Sequence, residues 1–143
     1  MATPPPPPVT LDLVWEGDLR FAGRADGVEL TLDGAKTAGP SPVQALGFGL
    51  AGCMAIDVAQ ILTKGRAPLA GLRARLVGAR RGEEPRRFVT IDLHFVVTGE
   101  VAPDKVERAL ALSRDKYCSV WHSLRQDIEL TTSFEIEKAR PIG

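Results

Sequence analysis

Ser-Pro-Val-Gln-Ala-Leu-Gly-Phe-Gly-Leu-Ala-Gly-Cys-Met-Ala-Ile-Asp, residues 41 to 57, is the stretch on which the fold turns. Ser41 is a helix N-cap, Pro42 suits the first helical position, and Gln44, three residues after Ser41, completes a capping box. The spacing predicts a helix that runs on to Lys64, with Gly65 as its C-cap. At ~1.5 Å per residue this helix is about 34 Å long, enough to cross a small domain. It carries no charge between Ala45 and Ile56, the pattern of a helix buried on all sides. Gly47, Gly49 and Gly52 each cost up to about 1 kcal/mol of helix stability relative to alanine. Close approach of another backbone, from the same chain or a second one, is the expected compensation.

Strands flank this helix. Upstream, residues 9–16, 19–22 and 28–32 read as an antiparallel meander, turned at Gly17-Asp18 and bounded by Gly27 and Gly34. Downstream, residues 72–77 and 88–98 read as strands joined through a charged turn at Pro85. In the second, Ile91, Leu93, Phe95 and Val97 share one face and Thr90, Asp92, His94 and Val96 the other. Residues 104–117 read as an amphipathic helix with Val106, Leu110, Ser113 and Tyr117 on one stripe. A short irregular or helical stretch follows at 119–124, and residues 128–137 close the chain as a strand. Strands, helix, strands, helix, strand is an α+β order rather than a doubly wound one.

The chain has 143 residues, and residues 9–143 are expected to form one domain. Residues 1–8 hold the run Pro4 to Pro8, which cannot donate backbone hydrogen bonds and reads as a disordered tail. This start lacks the basic and apolar regions of a signal peptide. Eighteen basic residues balance eighteen acidic ones, leaving no electrostatic footprint for nucleic acid or an anionic membrane. Arg80-Arg81 and Arg86-Arg87, separated by Gly-Glu-Glu-Pro, read as a solvated hairpin tip. No apolar run reads as long and charge-free enough to span a bilayer, since Asp57 interrupts the main one. Two cysteines and no export signal point to a reducing cytoplasm, where a catalytic disulfide is compatible and a structural one is disfavoured.

Those cysteines, Cys53 and Cys118, admit several chemistries. Metal binding and a cofactor are not expected: two cysteines far apart and two histidines, His94 and His122, show no close-spaced ligand pairs. A hydrolytic Cys-His site has only His122 as a nearby base and no further support. Thiol redox chemistry fits better. A thiolate attacks a peroxide and becomes a sulfenic acid, and a second cysteine condenses with it to a disulfide that external thiols reduce. The first cysteine then needs a cation, because burial alone raises its pKa, and arginine stays charged. Arg20 and Arg24 in the meander are the candidates. Asp57, one turn after Cys53, opposes thiolate formation by itself but could hold such an arginine. Both cysteines could also be inert filling.

Residues 41 to 53 resemble the segment leading to the first cysteine of the OsmC/Ohr family of thiol-dependent peroxidases: a Ser/Asn/Thr-Pro start, small and apolar residues, then cysteine. Asp-Lys-Tyr-Cys-Ser-Val-Trp-His, residues 115 to 122, resembles the segment around its second. Met-Ala-Ile-Asp-Val after Cys53, and Lys-Tyr-Cys-Ser-Val around Cys118, match the broad OsmC-like branch rather than the Ohr branch. The resemblance implies an α+β fold with antiparallel sheets around two central helices, in an intertwined homodimer with thiol sites at its interface. It implies Cys53 as peroxidatic and Cys118 as resolving cysteine, with the activating arginine from the N-terminal strands, Arg24 matching better than Arg20. It further implies a small organic or hydrogen peroxide as substrate and a thiol reductant, dithiol or lipoyl-type, as recycling partner. One position departs. Ohr-type members place an arginine-holding glutamate after the proline, where this chain has Val43 with the neutral Gln44 beside it. Gln44 and Asp57 are therefore the supporting candidates. The alternatives on the same scaffold are a dimeric binding protein for an apolar ligand and a thiol-disulfide exchange protein.

Overall fold

The computed structural model describes residues 3–139. Six strands and two principal helices follow in the order β1 (Asp12–Gly17), β2 (Arg20–Ala25), β3 (Val28–Asp33), α1 (Pro42–Lys64), β4 (Leu69–Arg80), β5 (Phe88–Gly99), α2 (Pro103–Leu112), a π-helical turn (Ser113–Tyr117), the short α3 (Ser119–His122), and β6 (Glu129–Glu137). The α+β order is as expected. The chain divides into two compact units, Met1–Leu46 and Gly47–Gly143. Of the proline-rich stretch, Met1 and Ala2 lie outside the described residues. Residues 3–8 are exposed and belong to no helix or strand.

In the first unit β1, β2 and β3 form the antiparallel meander. Asp33, at the end of β3, organises the connection to α1. Its carboxylate accepts the backbone N–H groups of Ala35, Thr37 and Ala38 and the Thr37 hydroxyl. Those donors, the amides of Ala38 and Ala35 foremost, favour the ionised form and lower its pKa to about 2. The capping box then forms as the sequence predicts: the Gln44 amide donates to Ser41 Oγ at 3.1 Å, and the Ser41 amide donates to Gln44 Oε1 at 2.9 Å.

At its other end α1 closes with the amide of Ala67 bonded to the Leu62 carbonyl and that of Arg66 to the Thr63 carbonyl. This is a Schellman arrangement. The left-handed residue is Arg66, at φ 57°, one position beyond Gly65.

The second unit is built on the sheet β4-β5-β6. Ile91, Leu93, Phe95 and Val97 on β5 are buried together with Leu50, Met54, Val58 and Leu62 of α1 and Val106, Ala109 and Leu110 of α2, in one apolar cluster. The α1 residues recur every fourth position, one stripe of a helix. The sheet is mixed rather than antiparallel throughout, because β6 pairs with β5 in parallel, Phe134 opposite Phe95. Parallel neighbours need a crossover connection. Here α2, the π turn and α3 provide it.

Two expectations for the helices are corrected. The outer face of α1 is not buried within the chain: Phe48 is 71% and Ile56 61% exposed. A side chain at Gly49 or Gly52 would meet nothing within 4 Å, so no neighbour in the described chain explains these glycines. Contrary to the sequence reading, α1 with its 23 residues is long and apolar enough to cross a membrane, a test that the core helix of a soluble protein passes as well. The second amphipathic helix ends as an α-helix at Leu112. The π turn adds a residue to the next turn, so Ser113 stays buried while Tyr117 is 49% exposed.

Candidate active site at Cys53 and Cys118

Cys53 precedes Met54 of the buried α1 stripe and lies at its margin, half-buried. Asp57 is one helical turn further on the same side, also half-buried. Cys118 comes from the crossover. Its amide donates to the Ser113 carbonyl at 2.7 Å, the i to i+5 bond of the π turn. Its backbone then leaves helical geometry (φ −71°, ψ 95°), and its sulfur accepts the Trp121 amide at 3.3 Å, capping α3 as a serine hydroxyl would. Sγ of Cys53, Sγ of Cys118 and a carboxylate oxygen of Asp57 lie within 4.8 Å of one another. The buried Ser113 hydroxyl donates to Asp57 Oδ2 at 2.8 Å. Both cysteines are free thiols.

The two thiols stand in different surroundings. Cys118 is fully buried, and desolvation is the main reason its pKa is pushed up to about 11. The Trp121 amide opposes this. The hydrogen bond with Cys53 and the charges of Cys53 and Asp57 add to the rise. At neutral pH Cys118 is therefore a protonated thiol. Cys53 is the more accessible sulfur, in contact with a neighbour that holds a proton.

The other predicted residues fall as follows. Arg24 pairs across the β2–β3 register with Glu29 at 2.9 Å, and Arg20 pairs with Asp18 at 3.3 Å; all four side chains are substantially exposed. Exposed pairs of this kind hold a side chain weakly. Gln44 serves the capping box. His122 Nε2 donates to the Arg114 carbonyl at 2.9 Å, which removes that nitrogen as a base for Cys118. His94 bonds Ser133 and Glu135 instead of a cysteine.

Sequence reasoning does not reach Ser113 as a functional residue. A hydroxyl within an apolar stripe, five positions before Cys118, is the only trace it leaves in the sequence. Two sulfurs and one carboxylate are also donors a thiophilic cation such as zinc accepts. That possibility was invisible in the sequence because the cysteines are so far apart.

Comparisons with known proteins agree on the fold. The model of the family described as OsmC-like protein matches residues 33–133. Protein YhfA of Escherichia coli (strain K12) is 41% identical over 128 residues, covering 87% of this chain and 96% of that protein. A hypothetical protein of Aquifex aeolicus VF5 has a solved structure 26% identical to this chain, with a TM-score of 0.87 over 94% of this chain and 99% of that one. The organic hydroperoxide resistance protein OsmC of Legionella pneumophila is 17% identical, with a TM-score of 0.66 over 89% and 96% of the two chains, a likeness of fold alone.

Proposed function

From the premise that this chain belongs to the OsmC-like family, we propose that it is a thiol-dependent peroxidase reducing small organic or hydrogen peroxides. The Cys53 thiolate attacks the peroxide, the O–O bond breaks, and the departing alkoxide or hydroxide takes a proton and leaves as an alcohol or water. Cys53 is then a sulfenic acid. Cys118 attacks its sulfur, water departs, and a Cys53–Cys118 disulfide remains for an external dithiol to reduce. The observation that carries this reading is the approach of Cys53, Asp57 and Cys118 within 4.8 Å, with the outer thiol accessible and the inner one protonated.

Arg24, or Arg20 in its place, is the cation that stabilises the Cys53 thiolate, freed from an exposed ion pair. The working form is a homodimer. The uncovered apolar face of α1, with Phe48 and Ile56 exposed and Gly49 and Gly52 open, supports this. The setting is a reducing cytoplasm.

A second reading, a dimeric binding protein for an apolar ligand, is favoured by Val43 in place of the arginine-holding glutamate. Free-thiol titration with intact mass, before and after one equivalent of an organic hydroperoxide, separates the two. Loss of both thiols and of two hydrogens per chain is expected. Two unchanged thiols would overturn the peroxidase reading and favour ligand binding. A pair that ignores peroxide but oxidises quickly with a disulfide would instead mark a thiol-disulfide exchange protein.

A further inference from the structure

The proposed cycle requires Cys118 to attack a sulfenic acid, yet this thiol is buried and holds its proton firmly. A proton acceptor must be close to it. The two histidines do not serve: His122 donates to a backbone carbonyl, and His94 is engaged with Ser133 and Glu135. Asp57 is different. Its carboxylate lies within 4.8 Å of both sulfurs, and the fully buried Ser113 hydroxyl fixes it by a 2.8 Å hydrogen bond.

Building on the peroxidase reading, we infer that Asp57, held in place by Ser113, takes the Cys118 thiol proton as the disulfide forms and passes it to the departing hydroxide. The step balances. The S–O bond of the Cys53 sulfenic acid and the S–H bond of Cys118 break; the S–S bond and one molecule of water form. The Cys118 sulfur is oxidised and the Cys53 sulfur reduced. Cys118 never becomes a free thiolate, because its proton moves as its sulfur bonds. The negative charge of Asp57, which disfavours a thiolate beside it, is what draws the proton across. Asp57 is thus a catalytic residue of the second half-reaction, and Ser113 is a positioning residue.

The test separates the two halves of the cycle. Reduced protein is mixed with an organic hydroperoxide, quenched over time, and sulfenic acid and disulfide are counted by intact mass with a sulfenic-acid trap. In Asp57→Asn, disulfide formation is expected to slow by about 100-fold or more, the scale of general-base catalysis, and far more than sulfenic acid formation. Sulfenic acid then accumulates. The residual rate climbs with pH as free Cys118 thiolate takes over, since the variant removes the Asp57 charge that, with Cys53, faces this thiol in the unaltered reduced chain. Asp57→Glu restores part of the rate, and Ser113→Ala loses an intermediate amount.

A companion experiment needs no peroxide. Cys53 is converted to its mixed disulfide with 5-thio-2-nitrobenzoate, and release of the coloured thiolate by Cys118 is timed. The same ordering of variants is expected. Release at the unaltered rate in Asp57→Asn overturns the inference, as does equal slowing of both half-reactions. Failure of the peroxidase reading shows separately, as absence of both sulfenic acid and disulfide in the unaltered protein after peroxide while release of the coloured thiolate still depends on Asp57.

Discussion

Ser113 and Asp57, 56 positions apart in the chain, are joined by a hydrogen bond of 2.8 Å from the hydroxyl to Oδ2. Cys118 hangs from the Ser113 carbonyl through its own amide. One residue therefore grips Cys118 by its backbone and the α1 carboxylate by its side chain. Removing that hydroxyl leaves a half-buried carboxylate without this donor. Ser113→Ala is expected to lower stability by about 1–3 kcal/mol, read as a lower denaturant midpoint at neutral pH. An unchanged midpoint would show that water replaces the hydroxyl at no cost.

The raised Cys118 pKa makes stability depend on alkaline pH. In the unfolded chain the thiol titrates near 9.0 and in the folded chain near 11. Between those values the native state binds more protons than the unfolded one, so unfolding free energy falls as pH rises. The contribution is complete below pH 9 and is lost by pH 11, on the order of 2 kcal/mol. Denaturant titrations of reduced protein across this window should show the decline, and Cys118→Ala should flatten it.

Asp33 gives the opposite sign at acid pH. Its pKa falls from 3.8 to about 2, so its stabilisation is complete above pH 3.8 and lost as pH falls through 2. Asp33→Asn should weaken the acid dependence of unfolding and lower stability at pH 7, where the ionised carboxylate receives four donors.

Loss of either cysteine should leave a distinct signature. Cys53→Ser should cut peroxide consumption by at least about 100-fold, since no nucleophile remains to form the covalent intermediate. Cys118→Ser should complete a single turnover and then advance to sulfinic acid under excess peroxide, seen as successive oxygen additions by mass. Turnover in the Cys53 variant would remove the basis of the mechanism.

Arg20→Ala and Arg24→Ala should differ. The variant that loses the activating cation should show Cys53 alkylation by iodoacetamide shifted to higher pH and peroxide consumption slower by about 10-fold or more. The other should match the unaltered protein. Two variants both indistinguishable from it would exclude the meander as the source of the cation.

The outer face of α1 should govern association. Phe48→Asp, at a position 71% exposed in the single chain, is expected to give a monomer by sedimentation while leaving the fold intact by circular dichroism. A monomeric unaltered protein would reject the homodimer.

Local signals were the legible ones. Ser41, Pro42 and Gln44 announced the start of α1 because a capping box depends on four consecutive residues. The inward face of β5 was legible from its alternation. The direction of β6 was not, because strand periodicity is the same for parallel and antiparallel neighbours. The π turn escaped a reading with a fixed helical period, and Ser113 with it. The all-round apolarity of α1 suggested burial on every side, but composition does not say which covering surface belongs to the same chain. The approach of Cys53 to Cys118 followed from a resemblance in their flanking residues, and the carboxylate beside both depended on tertiary packing that spacing cannot reveal.

The placement of Cys118 on the crossover, beyond β4 and β5, has a thermodynamic corollary. A bond to Cys53 closes a ring spanning 65 positions that contains both strands and α2. By chain entropy such a ring destabilises the unfolded state by about 4 kcal/mol. The cycle linking folding and oxidation requires the same free energy to appear as a preference of the folded protein for its oxidised form, on the order of 80 mV for a two-electron couple. Each turnover would then alternate between a less stable and a more stable fold, and any reductant that resets the site would work against that added stability as well as the bond.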